Sequence, residues 1–217
     1  HPGERLAIFG PTGAGKSSII NLLGRLYDPQ EGSIEIDGVD LRKVKFDSLR
    51  RTLSIVLQEP YLFSGTIAYN LKFGRPRATD EEMIHAAKIV GIHESVIRLE
   101  DGYDTVILER GTNLSFGQRQ LVCLGRAILA DPRILVFDEA TSSVDPYTEA
   151  LIQNALKEEM VNRTVLLVTH RVSTVRDADR IIILNEGKIE DVGSHEELIE
   201  RNELYKRLCE MQLVAIG

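Results

Sequence analysis

The chain is poor in cysteine, with two in 217 residues. Cys123 and Cys209 lie far apart and fit no metal-ligand spacing. Each therefore reads as a small buried residue of an apolar helix in a reducing compartment, not as half of a disulfide. An excess of basic charge is also missing. Lys and Arg total 26 against 33 acidic residues, a net charge of -7, which excludes the basic footprint of a nucleic-acid binder. No apolar run approaches the ~18 residues of a membrane helix, and no signal peptide is visible; any membrane-embedded part is expected elsewhere. Internal repeats, low-complexity tracts and long linkers are absent. What remains, 43% hydrophobic residues over 217 positions, suits one domain with a sizeable core, or a core with one satellite subdomain. Little precedes the first strand. His1-Pro2-Gly3 is a turn and a strand follows at once, so a fragment cut from a longer chain is expected.

The stretch Gly10-Pro11-Thr12-Gly13-Ala14-Gly15-Lys16-Ser17-Ser18 fits G-x-x-x-x-G-K-[ST]. Arg5 to Phe9 before it reads as a short buried strand. Lys16 to Leu26 after it reads as a helix, with Ile19, Ile20, Leu22, Leu23 and Leu26 as a wide apolar face. Strand, glycine-rich loop and helix are the context the pattern needs. The glycines permit a tight loop whose N–H groups point inward, and the helix N-terminus adds its dipole, so a triphosphate can bind without a clash from Cβ atoms. Lys16 would reach the β- and γ-phosphates and the Ser17 hydroxyl would ligate Mg2+.

Along the chain, Pro29 to Gly32 breaks the first helix. Ser33 to Ile36 alternates and turns at Asp37-Gly38, a hairpin strand. Asp47 to Arg51 suggests a short helix, and Ser54 to Leu57 a buried strand ending at Gln58. Residues 66–130 read as mainly helical. Thr79 caps a helix to Val90 that Gly91 ends. Ser115 opens a helix to Ala130 that Asp131-Pro132 stops. Ile134 to Asp138 is an apolar strand ending in acid, Pro146 to Met160 a helix, and Thr164 to Thr169 a buried strand. Two further strands flank Glu186-Gly187. Ser194, with Glu197 three residues on, caps a helix, and residues 203–213 form an amphipathic end. The expected fold is α/β: a P-loop core with a parallel central sheet (about 1–65 and 131–217), a partial antiparallel β-subdomain, and an inserted helical subdomain (about 66–130).

Three strand ends carry chemistry. Asp138 sits at the carboxyl edge where open α/β sheets bind ligands, placed to hold Mg2+ through water. Glu139 follows and can face the γ-phosphate and polarise a water. Gln58 offers a neutral amide that can touch Mg2+ or the attacking water. His170 follows Thr169. Leu114-Ser115-Phe116-Gly117-Gln118 precedes a helix that Ser115 can cap, a second anion site on a chain with one P-loop. The simplest use for it is the γ-phosphate of a nucleotide held by another copy.

In this order the motifs resemble the nucleotide-binding domain of an ABC transporter, over nearly the whole chain. They are Walker A (Gly10 to Ser18), Q-loop (Gln58), signature (Leu114 to Gln118), Walker B (Ile134 to Asp138), Glu139, D-loop (Ser142-Ser143-Val144-Asp145) and H-loop (His170). Gln58 to Ile67 and Glu109-Arg110-Gly111 are similar to the exporter branch, where they face transmembrane coupling helices. The resemblance implies ATP and Mg2+ as ligands. It implies catalytic roles for Glu139, His170, Gln58 and Lys16, and a head-to-tail dimer in which Ser115, Gly117 and Gln118 of one copy face the P-loop of the other. Asp145 would link the two sites. The implied partners are a second such domain and a transmembrane domain fused upstream, at the cytoplasmic face of a cell or organelle membrane.

There are two departures. Phe116 stands where the family usually has Gly, a position that varies in exporters while Ser115 and Gly117 are kept. The family's adenine-stacking aromatic lies upstream of Walker A, so this chain is expected to lack it. The alternative reading is an ATP-gated dimerisation module with little hydrolysis, the degenerate half of a heterodimeric exporter; Glu139 and His170 argue against it. A soluble ABC ATPase would carry insertions absent here, and a P-loop kinase would need neither the signature nor His170.

Overall fold

The structure is a computed structural model that describes residues 1–138, 145–159 and 163–214. Glu139 and the D-loop residues Ser142, Ser143 and Val144 lie outside the described residues, as does Met160, where the sequence ends a helix.

In chain order the elements begin with β1 (Arg5–Phe9), α1 (Lys16–Leu23), β2 (Glu35–Ile36), β3 (Val39–Asp40), α2 (Phe46–Thr52) and β4 (Leu53–Val56). Then come β5 (Gly65–Thr66), α3 (Ile67–Lys72), α4 (Asp80–Ile89), α5 (His93–Val96), β6 (Val106–Ile107) and α6 (Phe116–Leu129). The chain continues through β7 (Ile134–Asp138), α7 (Pro146–Glu159), β8 (Thr164–Thr169) and α8 (Val172–Val175). It closes with β9 (Arg180–Asn185), β10 (Lys188–Gly193), α9 (His195–Arg201) and α10 (Glu203–Val214). Two compact units divide it. The first holds residues 1–55, 136–139 and 164–217, and the second residues 56–135 and 140–163.

A six-stranded sheet runs in the order β10-β9-β1-β8-β7-β4. β1 lies between β8 and β9 and is parallel to both, with Phe9 opposite Thr169 and Ile183; β10 returns antiparallel to β9. Strands covered on both faces read as continuous apolar runs, not as alternation. Leu135 to Phe137 and Val165 to Val168 are accordingly all buried. At roughly 1.5–3 kcal/mol for each fully buried large apolar side chain, these runs supply much of the sheet's stability. They also fix the carboxyl ends of β1 and β8 side by side.

The helix after the P-loop is shorter than the apolar pattern suggests. It stops at Leu23, and Leu26 is 65% exposed. The stop is a Schellman turn: Arg25 N–H donates to Leu22 O (3.0 Å) and Leu26 N–H to Asn21 O (2.9 Å), with Arg25 at φ 51°. A left-handed residue other than glycine is costly. Here the Arg25 side chain is tied down, donating to Val44 O (2.8 Å) and Asp28 Oδ1 (3.2 Å) and lying over the Phe46 ring (4.6 Å). The strand expected at Ser54 to Leu57 lies one residue earlier, at Leu53–Val56, and leaves Leu57 exposed. The Asp37-Gly38 hairpin, the Thr79 cap and the Ser194 cap fall where the sequence puts them. The short β5–β6 ladder and the one-turn α8 were not expected. Cys123 and Cys209 are both free thiols. Among the described residues no helix is long and apolar enough to cross a membrane.

Candidate functional site

The loop after β1 is shaped by the first unit's own backbone. A Cβ on Gly10 would lie 2.1 Å from the carbonyl oxygen of Leu184 on β9, so only glycine fits there. Gly13 (φ 84°) and Gly15 (φ 102°) take left-handed conformations that favour glycine. Gly187, in the β9–β10 turn, donates its N–H to Ala14 O (3.0 Å) and braces the loop from outside. α1 then starts at Gly15 with no side chain capping it. Lys16 Nζ donates to the carbonyls of Gly10 (2.8 Å) and Pro11 (2.9 Å), which holds a cation across the mouth of the loop. Ser17 and Ser18 are exposed on the first turn of α1. The Pro11 carbonyl also accepts from the Ala14 N–H (3.2 Å).

Asp138 ends β7, half-buried, beside β8 in the sheet. His170 follows β8 and is exposed. Because Phe9 and Thr169 are in register, the P-loop and His170 leave adjacent strands at the same end. They meet around a cleft of about 300 Å³, lined by Phe9, Gly10, Pro11, Thr12 and His170 on one side and by Leu208, Met211 and Gln212 of α10 on the other. That α10 forms a wall of this cleft was not read from the sequence, where a lone Gln near the end of an amphipathic helix carries no signal.

The second unit holds the other candidates. Gln58 is exposed, two residues beyond β4. Ser115 is the N-cap of α6 and forms a full capping box: Gln118 N–H donates to Ser115 Oγ (3.1 Å) and Ser115 N–H to Gln118 Oε1 (2.9 Å). Gln118 thus serves the helix start directly. A Cβ on Gly117 would lie 2.9 Å from Thr148 Oγ1, so α6 and α7 touch at its backbone. Thr148 is in turn held by Asp145, donating its N–H to Oδ1 (3.0 Å) and its hydroxyl to Oδ2 (2.7 Å). These two bonds, the hydroxyl's first, hold the Asp145 carboxyl below the usual carboxylate range. Asp145 is therefore the cap of α7, a role that Asp-Pro-x-Thr could have announced. Arg119 donates to the carbonyls of Leu114 (2.8 Å) and Gly111 (3.2 Å) and lies 5.6 Å from the Phe116 ring, packing that residue onto its own helix.

The donor set suits a nucleotide and a hard cation. A cradle that excludes a Cβ, a lysine across its mouth and an uncapped helix start fit phosphate oxygens. Among the described residues no three His, Cys, Asp or Glu gather into a metal cluster. Ser17 and Asp138 could instead supply oxygen ligands to Mg2+, which keeps several waters and borrows phosphate oxygens.

Residues 1–142 match the ABC transporter family. The chain is 48% identical over 210 residues to the ABC transporter ATP-binding protein YknV of Bacillus subtilis, covering 97% of the chain and 35% of that protein. It is 46% identical over 211 residues to the ABC transporter ATM1 of Toxoplasma gondii, covering 97% of the chain and 19% of that protein. A solved bacterial Atm1-family ABC exporter with ATP bound superposes with a TM-score of 0.92 at 44% identity, covering 97% of this chain and 37% of that one. The chain thus spans about a third or less of the length of these relatives. With a P-loop, a signature helix and similarity along almost its whole length, the chain belongs to the ABC transporter family and is an ATP-binding domain of it.

Proposed function

We propose that the chain is the ATP-hydrolysing motor domain of an exporter and works as a head-to-tail pair. The observation that carries this reading is the cleft that Gly10 to Thr12 and His170 line together at the ends of β1 and β8. Lys16 would exchange its two carbonyl acceptors for β- and γ-phosphate oxygens, and the N–H groups of Gly13, Gly15, Lys16 and Ser17 would hold the rest of the triphosphate. Ser17, Asp138 and Gln58 would hold Mg2+, which neutralises charge on the phosphate oxygens. Glu139, directly after Asp138, orients the attacking water and takes its proton. His170 contacts the γ-phosphate. Ser115 and Gly117 of the second copy cover it, with Gln118 keeping that helix start in shape, and Asp145 joins one site to the other. Catalysis of this kind is mostly positioning and electrostatics.

The similarity to Atm1-family and related transporters supports an exporter whose transmembrane part is fused upstream, with this domain at the cytoplasmic face. The test is Glu139→Gln, which keeps size and hydrogen bonding and removes the base. Turnover should fall roughly 10²–10⁴-fold while ATP binding persists and an ATP-bound dimer accumulates. Wild-type turnover by this variant, free of contaminating ATPase, would remove Glu139 from the role.

A further inference from the structure

We infer that Gln212 is a positioning residue for His170, so that the last turn of α10 sets the aim of the histidine; this rests on the hydrolytic reading above. The Gln212 carboxamide spans the backbone on either side of Arg171. Its Nε2 donates to the His170 carbonyl, and its Oε1 accepts from the Val172 N–H at 2.8 Å. A carboxamide presents one donor and one acceptor edge, as a peptide does, so Gln212 pairs with this segment as a neighbouring strand would. A third bond, Arg171 N–H to Thr169 Oγ1 (3.0 Å), fixes the amide between them. The segment leaving β8 is thus held at three backbone groups, and two of the three depend on one side chain.

α10 is itself anchored at the root of the P-loop. Tyr205 is fully buried and stands edge-on to Phe9, the last residue of β1, with ring centroids 5.3 Å apart. Its hydroxyl lies 2.7 Å from His195 Nδ1 and its N–H donates to Asn202 Oδ1 (2.8 Å). Gln212 is seven residues on, two turns along the same face, with Leu208 between them on the cleft wall. One helix therefore touches both halves of the phosphate end, the strand behind the P-loop through Tyr205 and the histidine segment through Gln212. Anything that lifts the end of α10 removes both Gln212 bonds from the His170 segment.

The test uses the full-length protein that carries this chain. Gln212→Ala should lower kcat by roughly 10- to 100-fold, the loss that misplacing a group by about 1 Å produces, with KM for ATP and the thermal midpoint unchanged. Gln212→Met, which keeps the length and packing of the side chain, should do the same if the alanine variant folds poorly. In a His170→Ala background, Gln212→Ala should cost nothing further, because its effect passes through the histidine. The His170 imidazole resonance in a proton–carbon NMR spectrum should shift in Gln212→Ala. Additive losses in the double variant, a raised KM at unchanged kcat, or an unmoved imidazole resonance would each overturn the inference. Should His170→Ala keep full turnover, the hydrolytic role of His170 fails, and the resonance alone then decides whether Gln212 positions it.

Discussion

The starts of α1 and α6 are built in opposite ways. α1 opens on Gly15, left-handed and uncapped by any side chain. α6 opens on Ser115, with a reciprocal box that satisfies two helix-end groups from its own sequence. At α1 the shape comes from outside, from Leu184 and Gly187, and no side chain caps the helix start. At α6 the shape is local. What Ser115 can still give is its hydroxyl proton, since a hydroxyl that accepts one bond keeps its own O–H to donate. One start has a shape that suits an anion. The other is a finished helix end with a single donor to present, which suits completing a site on a second copy.

The largest effect expected from this contrast separates binding from turnover. Lys16→Ala should abolish ATP binding, whereas Ser115→Arg should leave binding intact and cut turnover roughly 10²–10³-fold, the cost of removing one aimed donor. Mixing the two variants should restore one composite site, seen as recovered phosphate release. Turnover independent of concentration, from a species shown by sedimentation to be monomeric, would contradict a composite site. Ser115→Asp sharpens the point. Aspartate caps as well as serine but has no proton to donate, so stability should hold while turnover falls as far as in Ser115→Arg.

Stability effects come next. Gly10→Ala places a Cβ 2.1 Å from the backbone carbonyl oxygen of Leu184 and should cost about 1–3 kcal/mol or more, as overpacking does, together with ATP binding. Gly13→Ala meets no atom within 4 Å and should cost about 1–2 kcal/mol from its φ alone. Thermal unfolding of the two variants should therefore differ in the order Gly10 below Gly13. Equal midpoints would mean that the β9 carbonyl yields.

Which of these features the sequence announces depends on their range. Capping boxes at Thr79–Glu82, Ser115–Gln118 and Ser194–Glu197 are written within four residues, and all three formed. Continuous apolar strands located the sheet, because burial on both faces leaves no other pattern. The end of α1 was misread for a tertiary reason: Arg25 adopts a glycine-like conformation because Val44, Asp28 and Phe46 hold it. The P-loop was legible as a motif, but the reason for Gly10 was not. The atom a Cβ would strike belongs to Leu184, far along the chain, and not to a phosphate. Gln212 was invisible for the same reason, acting on a backbone that only the fold brings to it.

The smallest expected effect concerns the junction of α6 and α7. The Asp145 carboxyl is held below its ordinary range, mainly by the Thr148 hydroxyl and then by the Thr148 N–H. A depressed acid contributes stability that is complete above its unfolded value, about 3.9, and is lost as pH falls through the folded one. The difference in unfolding midpoint between the parent and Asp145→Ala should be constant near neutrality and narrow as pH drops from about 5 to 3. A difference that stays flat would show that the cap acts without its charge.

The turn between β9 and β10 has a practical consequence for anyone who labels or rewires this domain. Glu186 and Gly187 are exposed at the tip of a tight hairpin. By surface criteria that is a favoured place to insert a tag or to open new termini. Yet the Gly187 amide is bonded to Ala14, and the strand leading into the turn presses its Leu184 carbonyl onto Gly10. A reporter grafted at this tip would be wired to the P-loop from behind. It would be a poor neutral handle and a sensitive gauge of whether that loop is in place.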